Sequence, residues 1–293
     1  MSLMKNTRDT LQKFLFEHAP VRGEIVHLDQ TWQSVLDRHD YPKVLRDLMG
    51  ELCAAAVLLA ATLKLQGSLV LQIHGKAAVK LLVVECTGSL ELRATAKWEG
   101  DIRSGTLREL VGDGHFVITL DPKDGNQAYQ GIVELEGESV AEILQNYMTR
   151  SEQLDTRLWL AADEQHAAGM LLQKLPEQKG HDADAWDRAT QLADTVKREE
   201  LLSLAATELI HRLYHEEDIR LFEAQGVVFN CSCSRDNVAR MLKMLGRQEV
   251  DEILAERGDI EVFCEFCNEQ YLFDAIDAEA VFADAISNNA TRH

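Results

Sequence analysis

The chain has 293 residues, 46% hydrophobic and 27% charged, the balance of a globular protein long enough for more than one core. Its formal net charge of -19 repels a phosphate backbone, and without a local basic patch nucleic acid is excluded as a partner. The longest apolar run, Leu52–Leu63, is too short to span a bilayer, so no membrane segment is expected. Met1-Ser2-Leu3-Met4 reads as an expression leader before a native Met4. Without an export signal the expected location is cytoplasmic, where spaced cysteines serve metal or redox chemistry more often than structural disulfides.

In chain order, the pattern predicts a short amphipathic helix over Thr10–His18, ended by Pro20, then a strand over Val21–Leu28. A helix over Asp29–His39 stops before Pro42, which opens a longer, mostly buried helix to about Lys64. Ser68–His74, Ala78–Cys86 and Leu90–Trp98 read as an antiparallel meander turning at Gly75 and Gly88. A helical turn at Thr106–Val111 precedes strands at His115–Leu120 and Ala128–Leu135, joined by the turn Asp121–Gly125. A helix over Ser139–Arg150 and a hairpin of Arg157–Ala161 with Met170–Leu175 complete the domain.

Runs of strands interrupted by helices, without strict alternation, indicate an α+β fold of antiparallel strands with packed helices. This first domain is assigned to residues 4–176. Glu177–Ala185 is polar and marks a boundary. Trp186–His215 is helical in short pieces, with a thin stripe of Leu192, Val196, Leu201, Leu204, Leu209, Ile210 and Leu213. Such helices are marginal alone. Residues 177–226 are therefore read as a metastable helical linker and residues 227–293 as a small cysteine module.

Four of the six cysteines form the pairs Cys231-Ser-Cys233 and Cys264-Glu-Phe-Cys267, thirty residues apart. Each pair chelates locally, and folding of the insert joins them into a four-thiolate metal site. Zinc is the default ion, while spacing alone leaves iron in the same cage open. The module is small enough for the metal to supply much of its folding free energy. Each thiolate also has a neighbour placed to resolve a sulfenic acid into a disulfide, so the chemistry permits a redox switch as well as an inert structural site.

Other constellations carry less. His211 and His215 lie one helical turn apart beside Glu216, but nothing completes a site and they read as an exposed helix face. Cys53 and Cys86 sit in apolar runs and read as inert core residues. No hydrolase, nucleotide-binding or dinucleotide motif has a supporting context, and a four-thiolate site is closed by its own ligands, so no enzyme is expected.

The chain also resembles a known family, the redox-regulated molecular chaperone of the 33-kilodalton heat-shock protein family. The likeness runs through Phe14-Leu15-Phe16-Glu17, Val21-Arg22-Gly23-Glu24, His39-Asp40-Tyr41-Pro42, Ala61-Thr62-Leu63-Lys64 and Tyr129-Gln130-Gly131. It continues in Arg150-Ser151-Glu152-Gln153-Leu154, Gly169-Met170-Leu171-Leu172-Gln173, Leu213-Tyr214-His215-Glu216-Glu217 and both cysteine pairs. Ala168 departs from the family's pattern where a glycine is expected, and Cys53 and Cys86 lie outside its cysteine set.

The resemblance implies one zinc per chain held in the reduced state by Cys231, Cys233, Cys264 and Cys267. It implies that oxidation forms the disulfides Cys231–Cys233 and Cys264–Cys267, releases zinc and unfolds both module and linker. The exposed surface then holds unfolding client proteins without ATP. An activated homodimer would pass them to ATP-dependent refolding chaperones. The client-binding candidates are Leu192, Val196, Leu201, Leu209 and Leu213, hidden against the first domain until the module no longer clamps the linker. The alternative is a non-enzymatic interaction adaptor with a purely structural zinc module.

Overall fold

The fold is taken from a computed structural model that describes residues 8–63, 66–122, 127–176, 182 and 184–287, with side chains to residue 283. The leader, the centre of the Asp121–Gly125 turn and most of the Glu177–Ala185 boundary lie outside the described residues. The chain divides into two compact units, Met1–Asn230 and Cys231–His293.

The first unit opens with β1 (Thr10–Phe16), β2 (Val21–Leu28), α1 (Gln30–Leu36) and α2 (Lys43–Leu63). The segment predicted as a helix over Thr10–His18 is thus a strand, paired antiparallel with β2 from Thr10↔His27 to Leu15↔Arg22. The correction has a tertiary cause. Leu11 joins one apolar cluster while Phe14 and Phe16 join another, so both faces of the segment are covered, as only an extended chain within a sheet allows.

Next come β3 (Gly67–His74), β4 (Val79–Thr87), β5 (Glu91–Trp98), α3 (Leu107–Val111), β6 (His115–Pro122), β7 (Tyr129–Glu134) and α4 (Val140–Arg150). A capping box between Thr106 and Glu109 starts α3, and the Ser139 hydroxyl accepts from the Glu142 N–H to start α4. The unit continues with β8 (Thr156–Ala162), β9 (Ala167–Lys174) and three short helices, α5 (Ala185–Ala193), α6 (Arg198–Ser203) and α7 (Ala206–Tyr214). Three short strands close it: β10 (Ile219–Leu221), β11 (Gln225–Gly226) and β12 (Val228–Phe229).

These strands form two six-stranded sheets. The first has the order β10-β1-β2-β9-β8, with β11 also on β1, and the second runs β12-β5-β4-β3-β6-β7. Helix α2 contacts strands of both sheets and is buried without interruption from Leu52 to Thr62. Its alanines permit that close approach, and at position 50 the approach leaves room only for glycine: a Cβ there would lie 2.4 Å from the Ala162 Cβ. The main core lies around this helix, uniting Leu52, Val57 and Leu58 with Val26 and Leu171 of the first sheet and Leu71 and Val84 of the second.

A second apolar cluster covers the other face of the first sheet. It joins Phe14, Phe16, Val21, Ile25, Met170 and Leu172 to Ala189, Leu201, Leu209, Ile210, Leu213 and Tyr214 of the short helices. The Tyr214 ring meets Phe16 edge-on at 5.0 Å, and its hydroxyl donates to the Ala189 carbonyl at 3.2 Å. Polar contacts frame the patch. Arg8 donates to the Leu202 carbonyl (2.8 Å), His27 Nε2 meets that of Leu201 (3.0 Å), and Trp159 Nε1 donates to Asp194 (3.1 Å).

The second unit contains α8 (Arg235–Leu245), α9 (Arg247–Arg257), the hairpin β13 (Ile260–Phe263) and β14 (Gln270–Phe273), and α10 (Ala275–Ser287). Its core is small: Val238, Leu242, Val250, Ile260, Phe273, Ala278 and Val281.

Two outcomes follow from the face that carries the short helices. A Cβ at Gly23 would stand 2.0 Å from Phe14 Cζ, displacing the ring on which Tyr214 rests. Gly23→Ala should therefore lower stability by about 1–3 kcal/mol in urea unfolding and speed proteolysis within α5–α7. His27 is pushed down to about 4, first by burial and then by the Arg8 charge. A depressed folded-state pKa means that its contribution is complete above the ordinary 6.5 and lost as pH falls towards 4. Wild type should lose up to about 3 kcal/mol across that window relative to His27→Gln, measured by urea unfolding at both ends.

Candidate metal centre

The first cysteine pair follows β12 directly. The Ser234 hydroxyl accepts from the Asn237 N–H to begin α8, and Asn237 Nδ2 donates to the Ser232 carbonyl at 2.8 Å. The start of one helix thereby fixes the turn carrying Cys231 and Cys233. The second pair sits at the tip of the β13–β14 hairpin, where the Cys264 N–H donates to Glu269 O (2.9 Å) and the Asn268 N–H to Cys264 O (2.8 Å). Asn268 takes the left-handed conformation, φ 59°, that closes this knuckle, and asparagine tolerates it better than most residues.

The four sulfurs lie within 4.8 Å of one another. Cys231 Sγ is 3.6 Å from Cys264 Sγ, and Cys233 Sγ is 3.2 Å from Cys267 Sγ, so these short contacts join one pair to the other. Thiolates placed tetrahedrally about zinc at ~2.3 Å stand ~3.8 Å apart, so the cluster has the right size and donor set for such an ion. It is the one metal-capable group of three or more ligands among the described residues. All four cysteines are half-buried, and burial, opposed by the Glu269 backbone N–H and reinforced by hydrogen bonding to the other three cysteines, raises the Cys267 pKa. Four ionised sulfurs at these distances require a cation between them, since their mutual repulsion otherwise keeps protons on.

Tyr271 is a contact that spacing did not reveal. It lies on β14 opposite Val262, and its hydroxyl donates to Cys233 Sγ at 3.2 Å. The hairpin holding the second pair thus reaches a sulfur of the first. An aromatic residue four positions beyond Cys267 was the available signal, but its meaning depends on the strand register.

The remaining cysteines are separate from this cluster. Cys53 and Cys86 are fully buried, and burial pushes the Cys86 thiol up to about 12 and Cys53 higher still. His211 on α7 and His215 just past its end are both exposed, with ring centroids 6.2 Å apart. Of the candidate client-binding residues, Leu201, Leu209 and Leu213 are buried against the first sheet, and Leu192 and Val196 pack partly buried at the margin of the same cluster. Sequence reasoning missed Ala185, Ala189 and Ala193, buried in the same cluster, whose small side chains give no hydrophobic stripe.

It also missed the strap leading into the cysteines. Strands β10 and β11 pair with β1, and β12 pairs parallel with β5 through Val228↔Glu91 and Phe229↔Leu92. The Val227 N–H donates to Asp9 O, and the Thr31 hydroxyl to Val227 O. Asp9 also accepts the N–H groups of Asp29, Gln30 and Thr31, so one carboxylate starts α1 while its backbone anchors the strap.

No described helix is long and apolar enough to cross a membrane. The family model described as "Hsp33 protein" matches residues 9–274. The 33 kDa chaperonin of Methylobacillus flagellatus is 57% identical over 289 residues, covering 97% of this chain and 99% of the relative. That of Chromobacterium violaceum is 55% identical over 279 residues, 94% and 95% of the two chains. The crystal structure of the 33 kDa chaperonin from Thermotoga maritima superposes with a TM-score of 0.82 over 95% of this chain and 99% of that one, at 19% identity. That structure establishes the shared fold, and the sequence likeness establishes kinship. With four thiols gathered at its end and this extent of match, the chain belongs to the Hsp33 family of chaperones.

Proposed function

We propose that this protein is an ATP-independent holdase switched on by oxidation. The observation that carries the reading is the clustering of Cys231, Cys233, Cys264 and Cys267 within 4.8 Å in a unit whose buried core, among the described residues, has seven side chains. Such a unit depends on its metal for folding. In the reduced state the four thiolates would hold one zinc ion, which supplies a positive charge and closes the fold.

Oxidation by a peroxide converts two thiolates, one peroxide and two protons into one disulfide and two waters. The disulfides assigned to this step are Cys231–Cys233 and Cys264–Cys267. The short sulfur contacts of the folded cluster run between the pairs, and pairing within each pair is favoured once the module opens and only local partners remain close. Loss of the module frees the end of the strap. Residues 177–226 are then the metastable linker, released to expose Leu192, Val196, Leu201, Leu209 and Leu213 to unfolding clients. Dimerisation of the active form, transfer of clients to ATP-dependent chaperones and a cytoplasmic location complete the reading.

A second reading, an interaction adaptor with a structural zinc module, is favoured by the exposed Met241, Met244 and Leu245 on α8. Light scattering from a heat-unfolding client separates the two. Suppression of aggregation by the oxidised protein alone, with parallel zinc release, supports the holdase; suppression by neither form sinks it.

Cys264→Ser should weaken zinc binding by more than about 100-fold in chelator competition and loosen α5–α7 towards protease without oxidant. Unchanged protease resistance would disconnect module from linker. Leu209 is fully buried, and Leu209→Ala should cost about 2–5 kcal/mol. The reduced variant should then suppress aggregation with its zinc retained.

A further inference from the structure

We propose that Tyr271 is a positioning residue that shields Cys233 from oxidants by donating its hydroxyl hydrogen to the sulfur. This rests on the zinc-thiolate reading above and adds to it a residue that sets how readily one of the four sulfurs reacts. The geometry has three parts. The phenolic oxygen stands 3.2 Å from Cys233 Sγ. The Tyr271 ring packs against the small core of the second unit, and its backbone is held in the hairpin by the Val262 register, so the hydroxyl is aimed and not free-swinging. Cys233 is half-buried, which limits the water able to replace that donor.

The chemistry follows from what the sulfur must do. To react with a peroxide, a Cys233 lone pair attacks one peroxide oxygen, the O–O bond breaks, and hydroxide leaves and is protonated to water. The Cys231 thiolate then attacks the sulfenic sulfur, the S–O bond breaks as the disulfide forms, and the hydroxide that leaves takes a proton from solvent to give a second water. A hydrogen bond to the thiolate draws electron density from sulfur and must weaken as its charge passes to oxygen. The bond therefore stabilises the resting thiolate more than the transition state, which slows attack. Outer hydrogen bonds of this kind tune metal-bound ligands generally. Tyr271 would thus favour retention of the resting state under mild oxidant.

The test uses the full chain, reduced and zinc-loaded, with zinc content measured first. One zinc in the wild type keeps the underlying reading; no zinc overturns that reading and this inference together. Tyr271→Phe removes only the hydroxyl. The expected result is a second-order rate of peroxide-driven zinc release about fivefold higher. Zinc loss to a chelator should remain unchanged, and sulfenic-acid trapping should shift towards Cys233. Equal acceleration of both release rates would make Tyr271 a structural prop only, and no change in either would remove its role; both outcomes overturn the proposal while leaving the zinc site intact. If Tyr271→Phe fails to hold zinc, the wild-type sequence made with 3-fluorotyrosine decides. The more acidic phenol is a stronger donor and should slow peroxide-driven release, and an unchanged rate overturns the proposal.

Discussion

The three short helices of the first unit depend on burial against the face of its first sheet that α2 leaves open. Helices α5, α6 and α7 have nine, six and nine residues, below the length at which an isolated helix persists in water. Their order is therefore borrowed from Phe14, Phe16, Ile25, Met170 and Leu172 beneath them. The sheet itself has independent support, because its opposite face packs on α2 and the main core. The arrangement is asymmetric: removing the helices strips one face of the sheet, whereas removing the sheet leaves the helices without a fold. That asymmetry is what a releasable apolar surface requires.

Polar groups make the contact specific without making it deep. The carbonyls at the end of α6 are met by Arg8 and His27, which satisfy acceptors that the helix itself cannot. Arg157 and Trp159 meet Asp194 at the end of α5, where that pair is about half exposed and contributes little to stability. Around the patch, Arg188 bridges Asp182 and Glu217, and Arg212 pairs with Glu200, both close to water. Registry thus comes from hydrogen bonds and adhesion from a modest number of apolar side chains.

Much of this was legible in the sequence because it rests on local signals. The long helix α2, the meander β3–β4–β5 and the final hairpin each carry a strong period or a glycine turn, and all are present. The cysteine spacing brought together the four residues that do come together. Signals that failed were those whose meaning is set elsewhere in the chain. Thr10–Phe16 is too short for its period to separate helix from strand, and contacts with Leu221 and His27 decide it. Strands β11 and β12 have two residues each and no pattern of their own, so only their partners on β1 and β5 reveal them. Tyr271 became a site residue through its register with Val262, which no spacing rule records.

Under the proposed switch, the strap links the four-cysteine cluster to the first unit. From Ile219 to Asn230 the chain adds to the edges of both sheets and ends with the Asn230 N–H bound to Leu92 O, one residue before the first cysteine. Edge pairing of two or three residues is weak taken singly and holds only while the chain beyond it is constrained. A folded module immediately downstream restricts the conformations open to that chain; an unfolded one restores them, favouring detachment through entropy without any new contact. Fraying would then reach α7 next, whose last residue, Tyr214, lies five positions before β10. In the proposed switch, coupling of this kind would be carried by chain continuity and would tolerate sequence change in both units provided the strap stays short and its pairing marginal.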